Sequence, residues 1–263
     1  MKTKKDYQKE FVHICLASSS AGNSFIFSFA RESNPPYRLM VECGLDYKEL
    51  IKKILNYGLT LNDINSVAIT HEHKDHSLSA EYLASIGKPI YATESVLNRL
   101  KIGKKEKLVN NQVYPLDDYL SIMPFKVNHD VESYGFWIYD QLSDLSILFI
   151  NDTKVFKFDE LCCIPHNLVF IECNHIQGQL EAVMNRAMEE NKPELIKYKR
   201  QAAYHLSLLG TKTMLNQLNL EKCKGIFLIH LSKDLCNEEV VRTEIKKVYK
   251  IPTYVAKREG GYL

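Results

Sequence analysis

The sequence predicts an α/β fold. Strand-length apolar runs alternate with segments whose apolar residues recur at helical spacing. Two runs, 168–171 and 225–229, are continuously apolar, as strands buried on both faces are. Several apolar runs also end in side chains of metal-ligand type: His71 and His73 after one, His129, Asp152, Glu172 to His175 and His230 after others. Strand ends that converge on one rim are where a layered α/β protein builds a site.

Taken in order, residues 1–9 are polar and read as a frayed end. Residues 11–16 alternate and give the first strand, 17–24 a turn of small residues, and 25–29 the hairpin partner. That turn reverses the chain and lays hydroxyls and backbone N–H groups in a strip. His13, inside the first strand, reads as structural. Residues 38–41 form a third strand that runs into Glu42-Cys43-Gly44-Leu45-Asp46. Leu50, Ile51, Ile54 and Leu55 set a helix over 47–57, closed by Gly58. Residues 66–69 are β-prone and empty into the histidine-rich stretch. Ser77 then caps a helix to about Ile86, ended by Gly87 and Pro89. A strand at 90–92, a helix at 94–100 and a polar loop over 103–111 follow. Residues 120–127, 135–139 and 146–150 are three more strands. His205 opens a further helix, and His166, beside Pro165, is a loop residue. The chain shows no internal repeat and no linker.

Composition bounds the class. A chain of 263 residues makes one large domain or two small ones, and 45% hydrophobic residues supply a sizeable core. The net charge of +2 carries no overall polyanion-binding signature. The basic runs at 2–5, 101–107 and 197–200 read as solvated surface. Seven cysteines lie without a regular paired spacing, and the adjacent Cys162 and Cys163 cannot bridge each other without strain. The odd count, the lack of a signal peptide and the lack of a long apolar run point to a cytoplasmic setting with no membrane partner.

The chemistry centres on Thr70-His71-Glu72-His73-Lys74-Asp75-His76, where three histidines and one aspartate fall within six residues. Nine histidines in the whole chain make that density hard to reach by chance. In an extended turn His71 and His73 point the same way, and Asp75 and His76 follow after the chain bends. One stretch can thus supply two ligands to each of two metals, which sit about 3.5–4 Å apart in paired sites.

His71-x-His73-x-Asp75-His76 resembles the His-x-His-x-Asp-His signature of the metallo-β-lactamase-fold hydrolases. The resemblance implies an αββα sandwich, a single domain over 1–263, and a dinuclear metal centre at one edge. Further motifs follow in the family's order. Val127-Asn128-His129-Asp130 is similar to the third ligand motif, so His129 would join His71 and His73. Ile150-Asn151-Asp152-Thr153 resembles the bridging-aspartate motif, with Asn151 departing from the usual residue. Leu228-Ile229-His230-Leu231-Ser232 is similar to the last ligand motif, so His230 would join Asp75, His76 and Asp152. Each ion, Zn or Mn, then has about four protein ligands and a shared water. That water's pKa falls to near neutrality, and Asp75 also orients it for attack.

The remaining site residues rest on the same resemblance. Glu42 stands where the family usually has an aspartate, which holds the histidine loop from behind. Ser20 and Asn23 lie in a turn similar to the Ser-x-Gly-Asn-Ser turn of one cytoplasmic branch. His205, in His205-Leu206-Ser207, is implied to contact the phosphate or protonate the leaving oxygen, with an anion favoured at a helix start. Asn174 and His175 support the ligands or touch substrate.

These elements resemble the phosphodiesterase and nuclease branch most. The expected substrate is a nucleotide phosphodiester. Charge balance and the lack of room for a nucleic-acid-binding domain lean toward a small one such as a cyclic nucleotide, as in a phage-type anti-defence enzyme. A DNA or RNA nuclease is the runner-up, and a glyoxalase-like thioesterase a remoter alternative. A homodimer stays open.

Overall fold

The computed structural model describes residues 2–32, 35–158 and 160–262, without the side chains of Glu160, Cys162 and Tyr262. The expectations for Met1 and for the Cys162 thiol lie outside the described residues. In chain order the elements begin with α1 (Lys4–Lys9), β1 (Val12–Ser19), β2 (Gly22–Phe29), β3 (Tyr37–Val41), α2 (Tyr47–Leu55) and β4 (Ser66–Ala68). Then come α3 (Lys74–Ser77), α4 (Ala80–Ser85), β5 (Ile90–Ala92), α5 (Glu94–Arg99) and β6 (Lys105–Lys107). Strands β7 (Tyr114–Pro115), β8 (Leu120–Lys126), β9 (Tyr134–Asp140), β10 (Leu145–Ile150) and β11 (Leu168–Glu172) follow. The chain closes with α6 (Gln177–Glu189), α7 (Glu194–Tyr204), α8 (Leu208–Leu215), β12 (Gly225–Ile229), α9 (Glu238–Tyr249), β13 (Thr253–Val255) and β14 (Gly261–Tyr262). No helix among the described residues is long and apolar enough to cross a membrane.

The chain divides into two compact units: residues 1–126, 131–146 and 256–263, and residues 127–130 and 147–255. In the first unit one sheet runs β14-β1-β2-β3-β4-β5-β6. β1, β2 and β3 pair antiparallel, and β3 to β6 pair parallel. The change follows from the connections, because α2 and the α3–α4 pair are crossovers that return the chain in the same direction. Leu50 and Ile54 of α2 and Leu83 of α4 bury against Ile14, Ile26, Met40, Val67 and Ile90 of the strands. Full burial of each such side chain stabilises by about 1.5–3 kcal/mol. β7, β8 and β9 form an antiparallel meander in the same unit.

In the second unit β10, β11, β12 and β13 pair parallel, as the two continuously apolar runs predicted for central strands. Phe149, Phe170, Phe227 and Tyr254 stack across these four strands, with ring centroids 6.4, 4.4 and 5.0 Å apart. Such cross-strand aromatic pairs add to the stability of the register that pairs these strands.

Several local expectations are corrected. The start is a helix, because Thr3 and Asp6 form a capping box. The small-residue turn shrinks to Ser20-Ala21, and the residues on either side of it belong to β1 and β2. The helix after the histidines begins at Lys74, where the Ser77 hydroxyl donates back to the Glu72 and His73 carbonyls instead of capping, and it breaks before Ala80, where the Ser79 N–H donates to the Cys43 carbonyl. The polar loop holds the exposed edge strand β6, whose charged side chains suit an edge.

His166 lies in a loop but is fully buried, with Nε2 3.2 Å from the Leu161 carbonyl oxygen. Burial pulls its pKa down to about 4. The unfolded chain therefore binds the extra proton first, from about pH 6.5 downward. The stability contributed above pH 6.5 is lost as pH falls toward 4. We expect this group to cost about 1–2 kcal/mol at pH 5 relative to pH 7.5. His166→Leu should flatten the dependence of the melting temperature on pH over that window. An unchanged slope would show that His166 is not buried neutral.

Candidate metal centre

The first cluster is built where β4 ends. His73 occupies the N-cap of α3, which places Asp75 and His76 in that helix's first turn. His71 is fully buried; its Nδ1 lies 2.8 Å from the Thr70 hydroxyl and its Nε2 2.9 Å from His73 Nδ1. Two imidazole nitrogens that close share one proton or one cation. The buried His76 ring sits 4.1 Å from that of His71. Its Nδ1 is 3.2 Å from Glu42 Oε1, and its Nε2 is 3.4 Å from Asp75 Oδ2 and 3.3 Å from Asn23 Nδ2.

Glu42 is fully buried behind this loop. It accepts from the Thr70 hydroxyl at 2.5 Å and the Thr70 N–H at 3.3 Å. Its longer side chain thus reaches both the loop backbone and His76. Asn23 also donates to the Asp75 carbonyl at 3.3 Å, so it braces the same turn. Ser20 is exposed at the hairpin tip.

The second cluster gathers strand ends in the other unit. The Asn128 N–H donates to the Thr153 hydroxyl at 3.0 Å, and the Lys154 N–H to the Asn128 carbonyl at 2.9 Å, which fixes the His129 loop against the Asp152 loop. His129 Nε2 is 3.1 Å from Asp130 Oδ1 and 3.9 Å from Asp152 Oδ2. His230 Nδ1 is 2.8 Å from Asp152 Oδ1 and 3.0 Å from Glu172 Oε1. His205 Nδ1 is 2.6 Å from the same Glu172 oxygen. Ligand-type atoms of Asp152, Glu172, His205 and His230 all lie within 4.8 Å of one another. Asn174 Nδ2 donates to the His230 carbonyl at 3.1 Å, and the buried His175 bridges to Ser207.

Three of these residues carry a left-handed backbone: Glu42 at φ 64°, Asp152 at 43° and His230 at 57°. Each follows directly on a strand or one residue beyond it. The chain turns sharply there, a conformation costing roughly 1–3 kcal/mol in a residue with a Cβ. Aspartate and histidine adopt this conformation more readily than most residues, and Glu42 is the exception among the three.

Two assignments change on the structure. His205 does not open a helix; it ends α7, and Ser207 caps α8 by accepting from the Gly210 N–H at 3.1 Å. A helix start therefore does not hold an anion at His205. Glu172, noted in the sequence only as part of a strand end, is the hub of the second cluster. Its signal was a carboxylate closing a continuously apolar strand.

The electrostatics suit a cation. Burial works against charge on His205 and His230, but the Glu172 and Asp152 carboxylates outweigh it and raise both pKa values. Burial alone would raise Glu172, yet His205 and His230 hold it below the usual carboxylate range. His129 is lowered, chiefly by burial. Two buried carboxylates this close need positive charge between them, from protons on the imidazoles or from a divalent metal ion. Imidazole and carboxylate donors fit such an ion.

No family model matches the chain. It is 27% identical over 237 residues to the exodeoxyribonuclease WalJ of Streptococcus pneumoniae, covering 85% of this chain and 82% of that protein. It is 24% identical over 246 residues to the exodeoxyribonuclease YycJ of Bacillus anthracis, covering 89% and 87%. Among solved structures it is similar to the metallo-β-lactamase-fold protein YhfI from Bacillus subtilis, with TM-score 0.68 at 17% identity, covering 94% and 97%. It is also similar to Zn-bound PqqB from Methylobacterium extorquens, with TM-score 0.67 at 14% identity, covering 95% and 99%. At these identities the structural likeness establishes a shared fold.

Proposed function

We propose that this chain, a metal-dependent hydrolase with the αββα metallo-β-lactamase fold and relatives in its nuclease and phosphodiesterase branch, cuts a nucleotide phosphodiester at the end of a DNA strand. The observation that carries the reading is the buried set of Asp152, Glu172, His205 and His230. It pairs metal-type donors with an imidazole held for proton donation. The two exodeoxyribonuclease relatives favour DNA over other esters. A small cyclic nucleotide is the second reading, favoured by the near-balance of 34 basic and 32 acidic residues.

In this proposal residues 1–263 work as one hydrolase domain. His71, His73 and His129 would hold one ion and Asp75, His76 and His230 a second, with Asp152 a donor to both. Zn or Mn, when bound, would bring a water's pKa toward neutrality and neutralise phosphate charge. Asp75 orients the attacking water. His205, fixed through Nδ1 by Glu172 and with a raised pKa, gives a proton to the leaving oxygen from its other ring nitrogen. Glu42 and Asn23 keep His76 and the Asp75 turn in place.

Metal analysis of protein saturated with Zn or Mn should give about two ions per chain; fewer than one overturns the centre. Asp75→Ala should lower hydrolysis of bis-p-nitrophenyl phosphate roughly 100-fold while the chain stays folded, because its side chain is partly exposed. Activity near wild type would remove Asp75 from the mechanism. Linear DNA, a cyclic nucleotide and a glutathione thioester assayed side by side separate the three substrate classes.

A further inference from the structure

We propose that Tyr204, with Lys154 over its ring, is a stacking platform that makes this site selective for a single-stranded nucleic-acid end. The inference rests on the phosphodiesterase reading and adds what the site recognises beside the phosphate. Tyr204 is the last residue of α7 and directly precedes His205. Its ring centroid is 5.8 Å from that of His129, at 81°. The His129 ring is in turn 5.8 Å from His205, at 69°. The half-buried tyrosine therefore borders His129, proposed to hold an ion, and lies next to His205, proposed to protonate the leaving oxygen.

Lys154 Nζ stands 5.0 Å from the Tyr204 ring centroid. The Lys154 N–H is tied to the Asn128 carbonyl, so this cation is anchored to the same loop as His129. One turn back on α7, Arg200 Nη2 reaches Asp130 Oδ2 at 2.8 Å and keeps 52% of its side chain exposed. One aromatic ring and two cations thus line one rim. That is the pairing by which single strands are held: bases stack on the ring and cations track the phosphates. A base lying on Tyr204 must leave its neighbour in a helical stack, so an unpaired end fits and an intact duplex does not. Lys154 exchanges the ring for a phosphate oxygen, and the base takes the ring face it leaves.

A purely structural pair would instead clamp the 151–158 loop to α7, and the two roles separate in one experiment. Cleavage of a short thymidine oligonucleotide is compared with that of the same strand abasic at its terminal two positions. The wild type should favour the base-bearing strand roughly tenfold in kcat/KM, through KM. Tyr204→Ala should bring that ratio close to one, and Tyr204→Phe should restore it. Lys154→Ala should reduce the dependence of log Kd on log salt by about 0.7, one phosphate contact on a single strand. If Tyr204→Ala slows both strands alike, or Tyr204→Phe fails to restore the ratio, the platform is overturned. No cleavage of either strand by the wild type would overturn the DNA-end reading and the platform with it.

Discussion

Glu172→Ala is expected to abolish hydrolysis, by more than about 10³-fold, and to cost roughly 3–5 kcal/mol of stability. The carboxylate is fully buried, and its two oxygens divide the work. Oε1 takes His205 Nδ1 at 2.6 Å and His230 Nδ1 at 3.0 Å. Oε2 takes the Thr153 and Leu206 N–H groups, each at 3.1 Å. Alanine strands two backbone donors, each worth about 1–3 kcal/mol unsatisfied, and leaves two imidazoles without their anion. Against a total stability of about 5–15 kcal/mol, that is a large share. Glu172→Gln keeps the shape but owns one acceptor oxygen, so its NH₂ must face either the imidazoles or the backbone donors. The glutamine variant should therefore fold better than alanine and still fail to turn over. Denaturant unfolding beside the ester assay reads both effects. An alanine variant within about 1 kcal/mol of wild type would show that the hub is not holding the cluster.

Glu172 is tied to its partners by tertiary contacts that no local pattern records. The histidine stretch, His129, Asp152 and His230 can be named as candidate donors from sequence because donor type and strand-end position are local properties. Strands β11 and β12 were legible as central strands from continuous apolarity. Glu172 was harder because its partners are 19, 33, 34 and 58 residues away. Only the parallel register brings Thr153, His205, Leu206 and His230 to its side. The place of His205 is obscured for a related reason. Ser207 is a true cap signal, but the helix it starts lies after it, and the histidine belongs to the turn between α7 and α8. The helices α6 and α7 do not stand out in sequence because their buried faces are narrow. Few of their residues are buried, Leu180 and Ala187 in α6 and Gln201 in α7. Their apolar stripe is too thin to stand out in composition.

Gly44→Ala is expected to be nearly as damaging, though it touches no ligand side chain. A Cβ built on Gly44 would lie 1.7 Å from the Asp75 carbonyl oxygen, 2.1 Å from its carbon and 2.7 Å from the His76 nitrogen. All three are backbone atoms, so no rotamer change relieves the clash. The contact is close because hydrogen bonds draw the turn after β3 onto α3 from several directions. The Cys43 N–H donates to the His76 carbonyl at 2.8 Å, the Ser79 N–H to the Cys43 carbonyl at 2.9 Å, and the Gly44 N–H to the Asn23 carbonyl at 2.9 Å. A methyl group must push the Asp75–His76 backbone away by about an ångström or more. Overpacking of that kind costs about 1–3 kcal/mol, and a shift of about 1 Å in a positioned group costs roughly 100-fold in rate. Gly58→Ala is the control. Gly58 has φ +69° and nothing within 4 Å of its would-be Cβ, so alanine there meets backbone strain without a clash. It should cost about 1 kcal/mol and leave the rate intact. Gly44→Ala should instead lose metal affinity and at least 100-fold in rate, even in protein that remains folded by circular dichroism. If both variants bind metal and turn over like wild type, the close approach of Gly44 to the Asp75 turn does not position the ligands.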